Sequence, residues 1–401
     1  MASTQFDLVI IGGGIGGSSL AKVMAEHGAS VLVLEKEREF KDRVRGDAMA
    51  PWGVPEARQL GIDQLLRDTC GHELPWVQSF IQKAQLEHRH LNTTTRCQTA
   101  ELAFFHPAMQ EVLLQAAADA GATILRGAVA HELYPGGRPS IAFEHEGSAR
   151  VADARVVVGA DGRLSSTRRL GQFELKKDPE ERFMAGVLLE GMPVRHDTSY
   201  AVIDPRRGQL VALFPQGNDR VRVYFSYPKA GRQRLQGEGD IPNLVEESIR
   251  AGAPAEWYVG VSVAGPLATI ISDDHWVEHP YQDGVVLIGD AAAANDPMFG
   301  QGLSLTLRDV RVLSSHLTGT SDWDAACHAY AREHDGYYQL LHTFSHWFEE
   351  LFYRTGLQAD LTRARVFPLL AQDRTRVPDI FFSGPDQPLT EAVRQRMFGE
   401  R

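Results

Sequence analysis

Residues with chemically useful spacing lie near both ends of the chain, and most of them are glycines. Gly12, Gly14 and Gly17 form G-x-G-x-x-G directly after the apolar run 6–11. The first glycine permits a tight turn, the second lets a pyrophosphate approach the backbone, and the third lets a helix pack on a sheet. A helix starting there aims free N–H groups and its positive dipole end at phosphates. Glu35 ends a second apolar run, 31–34, where a carboxylate accepts hydrogen bonds from an adenosine ribose. These residues point to an ADP-containing dinucleotide and leave NAD and FAD both open. The stretch GDAAAANDPMFGQGLSLTLRDV, 289–310, follows another apolar run. Its Gly289, Asp290, Pro297, Gly300, Gly302 and Leu303 again combine a strand end with a glycine-opened helix. Two such constructions imply one long ligand held at two places.

The elements that must position these residues are legible in the periodicity. Residues 6–11 read as a buried strand, Leu20, Val23 and Met24 recur at helical spacing, and Gly28 ends that helix. Between 182 and 266 the pattern becomes alternating. RVRVYFSY places Val221, Val223, Phe225 and Tyr227 on one face and Arg220, Arg222, Tyr224 and Ser226 on the other. GQLVALFP precedes it, with QGND between, which predicts a hairpin; FMAGVLLE and SYAVID add strands. The tail holds YYQLLHTFSHWFEELFYRTG, an aromatic-rich helix expected to pack onto the body, with capping of a site as the alternative. His342 and His346 share a helix face at i, i+4. With no HExxH pattern and no third ligand evident, they read as structural, and no metal is expected. His88 and His90 read as two exposed histidines.

In spacing and residue type, 283–310 resembles the second fingerprint of the para-hydroxybenzoate-hydroxylase-like (class A) flavoprotein monooxygenases. RVVVGADGRLSSTRR carries that family's D-G-x-x-S-x-x-R as Asp161, Gly162, Ser165 and Arg168. Arg45, in RVRGDAMAP, matches the arginine that family members set against the FAD phosphates. The resemblance spans all but the last sixty or so residues and implies FAD as cofactor. Asp290 would hold the flavin ribitol. The helix beginning near Gly302 would aim its N-terminus at the N1–C2=O edge of the ring, where reduction places negative charge. Gly300 and Gly302 would let backbone N–H groups reach the ring. The Asp161 motif would touch the FAD side and shape the nicotinamide passage. The sequence departs from the family at Ala293, often His; at Ser304, often Asn; and at His106, where many relatives carry Arg. The first two are expected to alter flavin movement.

The fold implied is α/β, a Rossmann-like FAD-binding domain of glutathione-reductase type with an inserted mixed β-sheet and a C-terminal helical segment. Residues 1–80, 101–181 and 276–340 are expected to form the FAD-binding domain, 81–100 and 182–275 the substrate domain, and 341–401 the helical segment. The family covers its flavin with the mixed sheet, so Arg222, Tyr224 and Phe214 are substrate-pocket candidates. The activity implied is hydroxylation or epoxidation of an aromatic, polycyclic or polyene small molecule, with NADPH or NADH and dioxygen as co-substrates. A halogenase is the nearest rival, but its W-x-W-x-I-P signature is missing: Trp76 opens WVQSFI and Trp257 lies in EWYVGV. Lys83, its conceivable catalytic lysine, reads as solvated. A geranylgeranyl-reductase-like alkene reductase and a flavin-free binding protein share the architecture.

The bulk properties agree with an ordinary enzyme. The chain has 401 residues, a formal net charge of −11 and no apolar run long enough for a bilayer. That charge disfavours nucleic acid as a partner. Three cysteines, Cys70, Cys97 and Cys327, make neither a disulfide framework nor a metal motif. The first strand begins within a few residues of Met1, so no cleaved leader, a cytoplasmic location and a monomer or homodimer are expected.

Overall fold

The computed structural model describes residues 4–400. Its first sheet is built on four parallel strands in the spatial order Ser148–Gly159, Thr4–Ile11, Val31–Glu35, Thr123–Arg126. Leu8, Val9 and Ile10 are fully buried, because helices and loops cover both faces of this strand and an unbroken apolar run is needed to fill them. Val285–Leu287 adds a further parallel strand beside Ser148–Gly159. Antiparallel Ser140–His145 and Val129–Tyr134 extend the sheet.

Helix α1 (Ile15–Glu26) returns from the first strand, and helix α2 (His106–Asp119) packs beside it. Leu20, Val23 and Met24 of α1 join Leu307, Val310 and Leu313 of the late helix in one core cluster. The expected helical spacing near the N-terminus is therefore its packing face.

The second sheet is mixed. Its order is Ser262–Val263, Arg182–Glu190, Arg220–Pro228, Gln209–Pro215, Thr198–Asp204, Trp76–Ile81, Ala84–His90, with Ala268–Ser272 also on Arg182–Glu190. The expected hairpin is present: Gln209–Pro215 and Arg220–Pro228 run antiparallel, and Gly217, Asn218 and Asp219 turn the chain at positive φ. Val221, Val223, Phe225 and Tyr227 fill one core and Tyr224 another, as the alternation requires. The sheet already includes Trp76–Ile81, which pairs in parallel with Thr198–Asp204. It therefore starts before residue 81.

Helix α3 (Ser166–Leu170) is a short turn after the Ser148–Gly159 strand. Helix α4 (Gly302–Gly319) packs against α1, and helix α5 (Trp323–Phe352) packs along α4. Asp322 caps α5 by accepting from the Ala325 N–H, and Tyr330 donates to Leu287 O at 2.9 Å. Helix α6 (Leu357–Gln372) and short turns complete the tail. Cys70, Cys97 and Cys327 are free thiols. No helix among the described residues is long and apolar enough to cross a membrane.

Candidate active site

A continuous cavity of about 1080 Å³ runs from the α1 turn, past the start of α4, to the second sheet and the tail. Gly12, Gly14, Glu35, Arg45, Asp161, Gly162, Gly289, Asp290, Pro297, Gly300, Gly302 and Leu303 all line it. Residues far apart in sequence thus share one wall.

The cradle fits an ADP-containing ligand. Gly12 turns the chain at φ +103°, and a Cβ there would sit 2.4 Å from Ala160 O. A Cβ on Gly14 would meet only Gln110 Nε2 at 3.7 Å and would project into the cavity, so this backbone is bare on the ligand side. Gly14 caps α1 without a side-chain hydrogen bond, and the first turn holds no acid, which leaves its N–H groups to the cavity. Glu35 accepts from Gly13 N and Glu37 N, each at 2.7 Å, so two amides fix a carboxylate with acceptor capacity left for ribose hydroxyls. Arg45 lines the same wall and makes no ion pair or hydrogen bond among the described residues, so its charge is free for phosphate.

The second construction repeats this logic. Gly289 turns at φ +57° and its N–H donates to the buried Asp309 of α4 at 2.7 Å, locking strand end to helix. Asp290, at that turn, makes no hydrogen bond among the described residues and faces Gly302. Helix α4 opens without a side-chain cap or an acid in its first turn. Two uncapped helix starts therefore open on one cavity, and the residues present fit an FAD-sized ligand.

Several expected residues stand elsewhere. Gly17 does not line the cavity: a Cβ on it would lie 1.9 Å from Gly12 O, so its role is helix-to-turn packing. Arg168 also points away, and its guanidinium donates to Ala291 O at 3.1 Å and Arg163 O at 2.9 Å. It ties the Asp161 loop to the Gly289–Ala291 turn. The Asp161 carboxylate accepts from Ser165 and Ser166 hydroxyls and from Ser166 and Thr167 N–H, which caps α3. Ala293 and Ser304 lie outside the cavity; Ala293 pairs with Trp276, and Ser304 packs under Ala50 and Gly53. Neither side chain meets the cavity directly, and Ser304 reaches its wall through Ala50. His106 does line the cavity, and its Nδ1 lies 2.8 Å from Gly46 O. Burial holds that imidazole below its ordinary value, in the neutral form.

Of the three substrate candidates, Phe214 and Tyr224 line the cavity and Arg222 does not. Arg222 is fully buried, donates from Nη2 to Asp42 Oδ2 at 2.8 Å, and lies 3.3 Å from Asp47 Oδ2 through Nε. Tyr224 donates its hydroxyl to Asp47, which also accepts from Gln216 Nε2 at 2.8 Å. Arg222 therefore positions Asp47 and Tyr224 and does not meet a ligand. Burial raises the Tyr224 phenol well above its ordinary value, so it stays a donor.

Sequence reasoning missed the rest of the chamber. Phe348 and Phe352 of α5, Tyr353, Leu370 of α6 and Phe381 line it from the tail. The tail both packs on the body and closes the site. Glu101, 7% exposed, also lines it, and its Oε2 has no hydrogen-bond partner. Burial pushes this carboxyl up to about 7, with Ser199 offsetting little. No local pattern marks Glu101; its isolation comes from neighbours on other strands. His88 and His90 pack on the Trp76 ring at 4.8 and 4.6 Å. Lys83 is exposed at a hairpin tip and does not line the cavity. His342 and His346 do meet a third donor, contrary to expectation: Asp178 Oδ2 lies 2.8 and 3.0 Å from their Nε2 atoms.

The FAD-binding-domain family matches residues 5–328, and the chain belongs to it. It is an FAD-dependent oxidoreductase of the para-hydroxybenzoate-hydroxylase-like group. Among curated relatives it is 28% identical over 320 residues to digeranylgeranylglycerophospholipid reductase 2 of Methanopyrus kandleri, covering 76% of this chain and 74% of that one. It is 27% identical over 317 residues to 6-methylpretetramide 4-monooxygenase of Streptomyces rimosus, covering 76% and 73%. The fold is shared with p-nitrophenol 4-monooxygenase from Pseudomonas putida, at TM-score 0.81 and 18% identity over 97% of this chain and 100% of that one. A flavin-dependent brominase aligns at TM-score 0.78 and 16% identity over 99% of each chain.

Proposed function

We propose that the protein is a monooxygenase that uses NADPH or NADH and dioxygen to hydroxylate or epoxidise an aromatic, polycyclic or polyene small molecule. Bound FAD supplies the hydride acceptance and oxygen activation that this reaction needs. The observation that carries the reading is the cavity's continuation beyond the cofactor-binding residues into a chamber walled by Phe214, Tyr224, Phe348 and Phe352. An apolar chamber of that kind excludes water and takes a largely apolar ligand. Beside the aromatic wall the lining carries polar side chains, among them Glu87, Arg89, Arg374, Asp379 and Gln387, and two groups sit close to buried apolar surface. The Tyr224 hydroxyl, locked on Asp47, orients a substrate edge without giving up its proton. With its carboxyl titrating at about 7, Glu101 is part ionised near neutral pH, and the ionised form accepts a proton from a substrate hydroxyl or amine as it is activated, while the neutral form can donate one. Asp161, Gly162 and Arg169 also line the cavity, and they are proposed as the nicotinamide approach. Asp290 is proposed to hold the ribitol, Arg45 the phosphates and Glu35 the ribose.

An alkene reductase is the second reading, favoured by the Methanopyrus relative. Saturating a double bond requires a proton as well as a hydride, and Glu101 would then be the donor. Turnover with NADPH in oxygen-18 separates the two. Incorporation of one labelled atom supports the monooxygenase; anaerobic turnover to a product two hydrogens heavier overturns it, and so does a brominated product when bromide is added.

A further inference from the structure

The His342–His346 pair of α5 meets a carboxylate that follows the two-residue strand Lys176–Lys177. Asp178 Oδ2 lies 2.8 Å from His342 Nε2 and 3.0 Å from His346 Nε2, and the two nitrogens are 3.0 Å apart. Each Nε2 carries one proton at most, so with the carboxylate ionised the three edges of this triangle share two protons. One edge then sets two like groups against each other. A cation above the triangle removes the conflict, because all three atoms present lone pairs to it. Bonds of about 2.0–2.2 Å in a tetrahedron set donor atoms about 3.3–3.6 Å apart, roughly half an ångström beyond the present spacing. We propose that Asp178, His342 and His346 bind one divalent transition-metal ion of the zinc type, with water completing its coordination.

The surroundings suit such a site. The His342 ring is held by Tyr338, stacked at 5.8 Å, and by Trp276 at 4.6 Å. Trp276 pairs with Lys176, so the short sheet that leads to Asp178 also orients the ring. Asp178 is fixed in turn by its N–H, which donates to Asp274 O at 2.9 Å. A cavity of about 60 Å³ beside Asp178 and His346 leaves room for coordinating waters; its wall carries Glu181, Asp273 and Glu349 together with Arg182 and Arg354, so the selectivity rests on the three donors themselves. Two imidazoles and one carboxylate, with no thiolate, select zinc, cobalt or nickel over calcium and magnesium, which prefer all-oxygen shells. The ion would tie the segment entering the Arg182–Glu190 strand to α5, which carries Phe348 and Phe352 in the chamber wall. The site is thus a staple on the wall, independent of the reaction proposed above.

The test is a titration of chelator-treated, FAD-loaded protein with cobalt(II), read by visible ligand-field absorption, and then with zinc(II), read by calorimetry. One saturable ion per chain is expected. Asp178→Asn and His346→Gln should each weaken binding at least tenfold, roughly the scale of losing even an outer partner of a metal site. His328→Ala should leave binding unchanged; it breaks the other close histidine pair, His279 with His328 at 2.8 Å, which belongs to no three-donor group among the described residues. Zinc should raise the melting midpoint of the wild type and of His328→Ala, but not of the two ligand variants. The retained flavin spectrum and a cooperative melt identify a folded variant. Absence of saturable binding in the wild type, or equal affinity in folded His346→Gln, overturns the proposal.

Discussion

The two ends of the cavity are built from different materials. At the cofactor end most of the surface is backbone, with bare glycines, uncapped helix starts and a turn locked by Asp309, joined by three charged side chains, Glu35, Arg45 and Asp290. At the chamber end the contacts come from side chains contributed by seven or more separate segments, from Ser79 and Glu101 to Phe381. A backbone site demands residues without a Cβ at fixed spacing, which leaves a mark in the sequence. A side-chain site demands only that the right groups converge, and convergence is set by the fold. The cofactor end should therefore fail abruptly on single substitutions, and the chamber end by degrees.

Gly14→Val should give the largest effect. A Cβ there meets nothing of the protein closer than Gln110 Nε2 and projects into the space proposed for the pyrophosphate, so the variant should fold and purify colourless. Gly17→Val sharpens the contrast. Its side chain would collide with Gly12 O, so it should lose the fold along with the flavin. Absorbance at the flavin band and circular dichroism, measured together, separate these fates. A yellow Gly14→Val protein would break the comparison outright.

Asp290→Ala tests one of the three cofactor-end contacts proposed for side chains, the others being those of Glu35 and Arg45. Charge-assisted hydrogen bonds to ribitol are worth about 1.5–3 kcal/mol, so FAD should bind roughly ten- to hundredfold more weakly in fluorescence titration, with the melt of the apoprotein unchanged. Full retention at micromolar protein would remove Asp290 from the site.

The same contrast explains what the sequence reveals. The parallel strands, α1, the hairpin 209–228 and the glycine turns are dictated locally, by apolar runs, alternation and positive φ, and they are legible. Arg222 is legible only as a substrate-pocket candidate, and Asp42 and Asp47, 180 and 175 positions earlier, decide that it is locked in an ion cluster. Asp178, 164 residues before His342, is invisible to helical spacing for the same reason. Arg168 matches its motif letter for letter while serving the loop instead of the cavity.

Glu101→Gln addresses the chamber. The folded carboxyl titrates at about 7 against an ordinary 4.5, so the folded state binds more protons than the unfolded state between those values. Stability must then fall as pH rises from about 4.5 to about 7 and remain lower above. Glutamine removes the penalty. The FAD-loaded variant should be more stable than wild type at pH 8, on the order of 3 kcal/mol at most, with the gap closing by pH 4. If Glu101 also handles a substrate proton, the variant loses the limb near neutrality in the kcat/KM profile. A pH-independent stability difference would mean that Glu101 is paired in solution, and the chamber would lose its only proton site of this kind proposed here.

Lys83→Ala should do least. The lysine sits at the tip between Trp76–Ile81 and Ala84–His90, exposed, on the sheet whose other members wall the chamber. Surface substitutions of this sort change stability by about 0.5 kcal/mol or less. Because the side chain lies outside the cavity, turnover should also stay within about twofold, which is within roughly 0.4 kcal/mol of barrier. The measurement is informative because a halogenating enzyme would need an amine inside the passage between flavin and substrate. Loss of product on replacing Lys83 would mean that the hairpin folds inward during turnover. The wall of the chamber would then be mobile at its sheet side, and the division between a rigid backbone cradle and a converged side-chain chamber would have to be redrawn there.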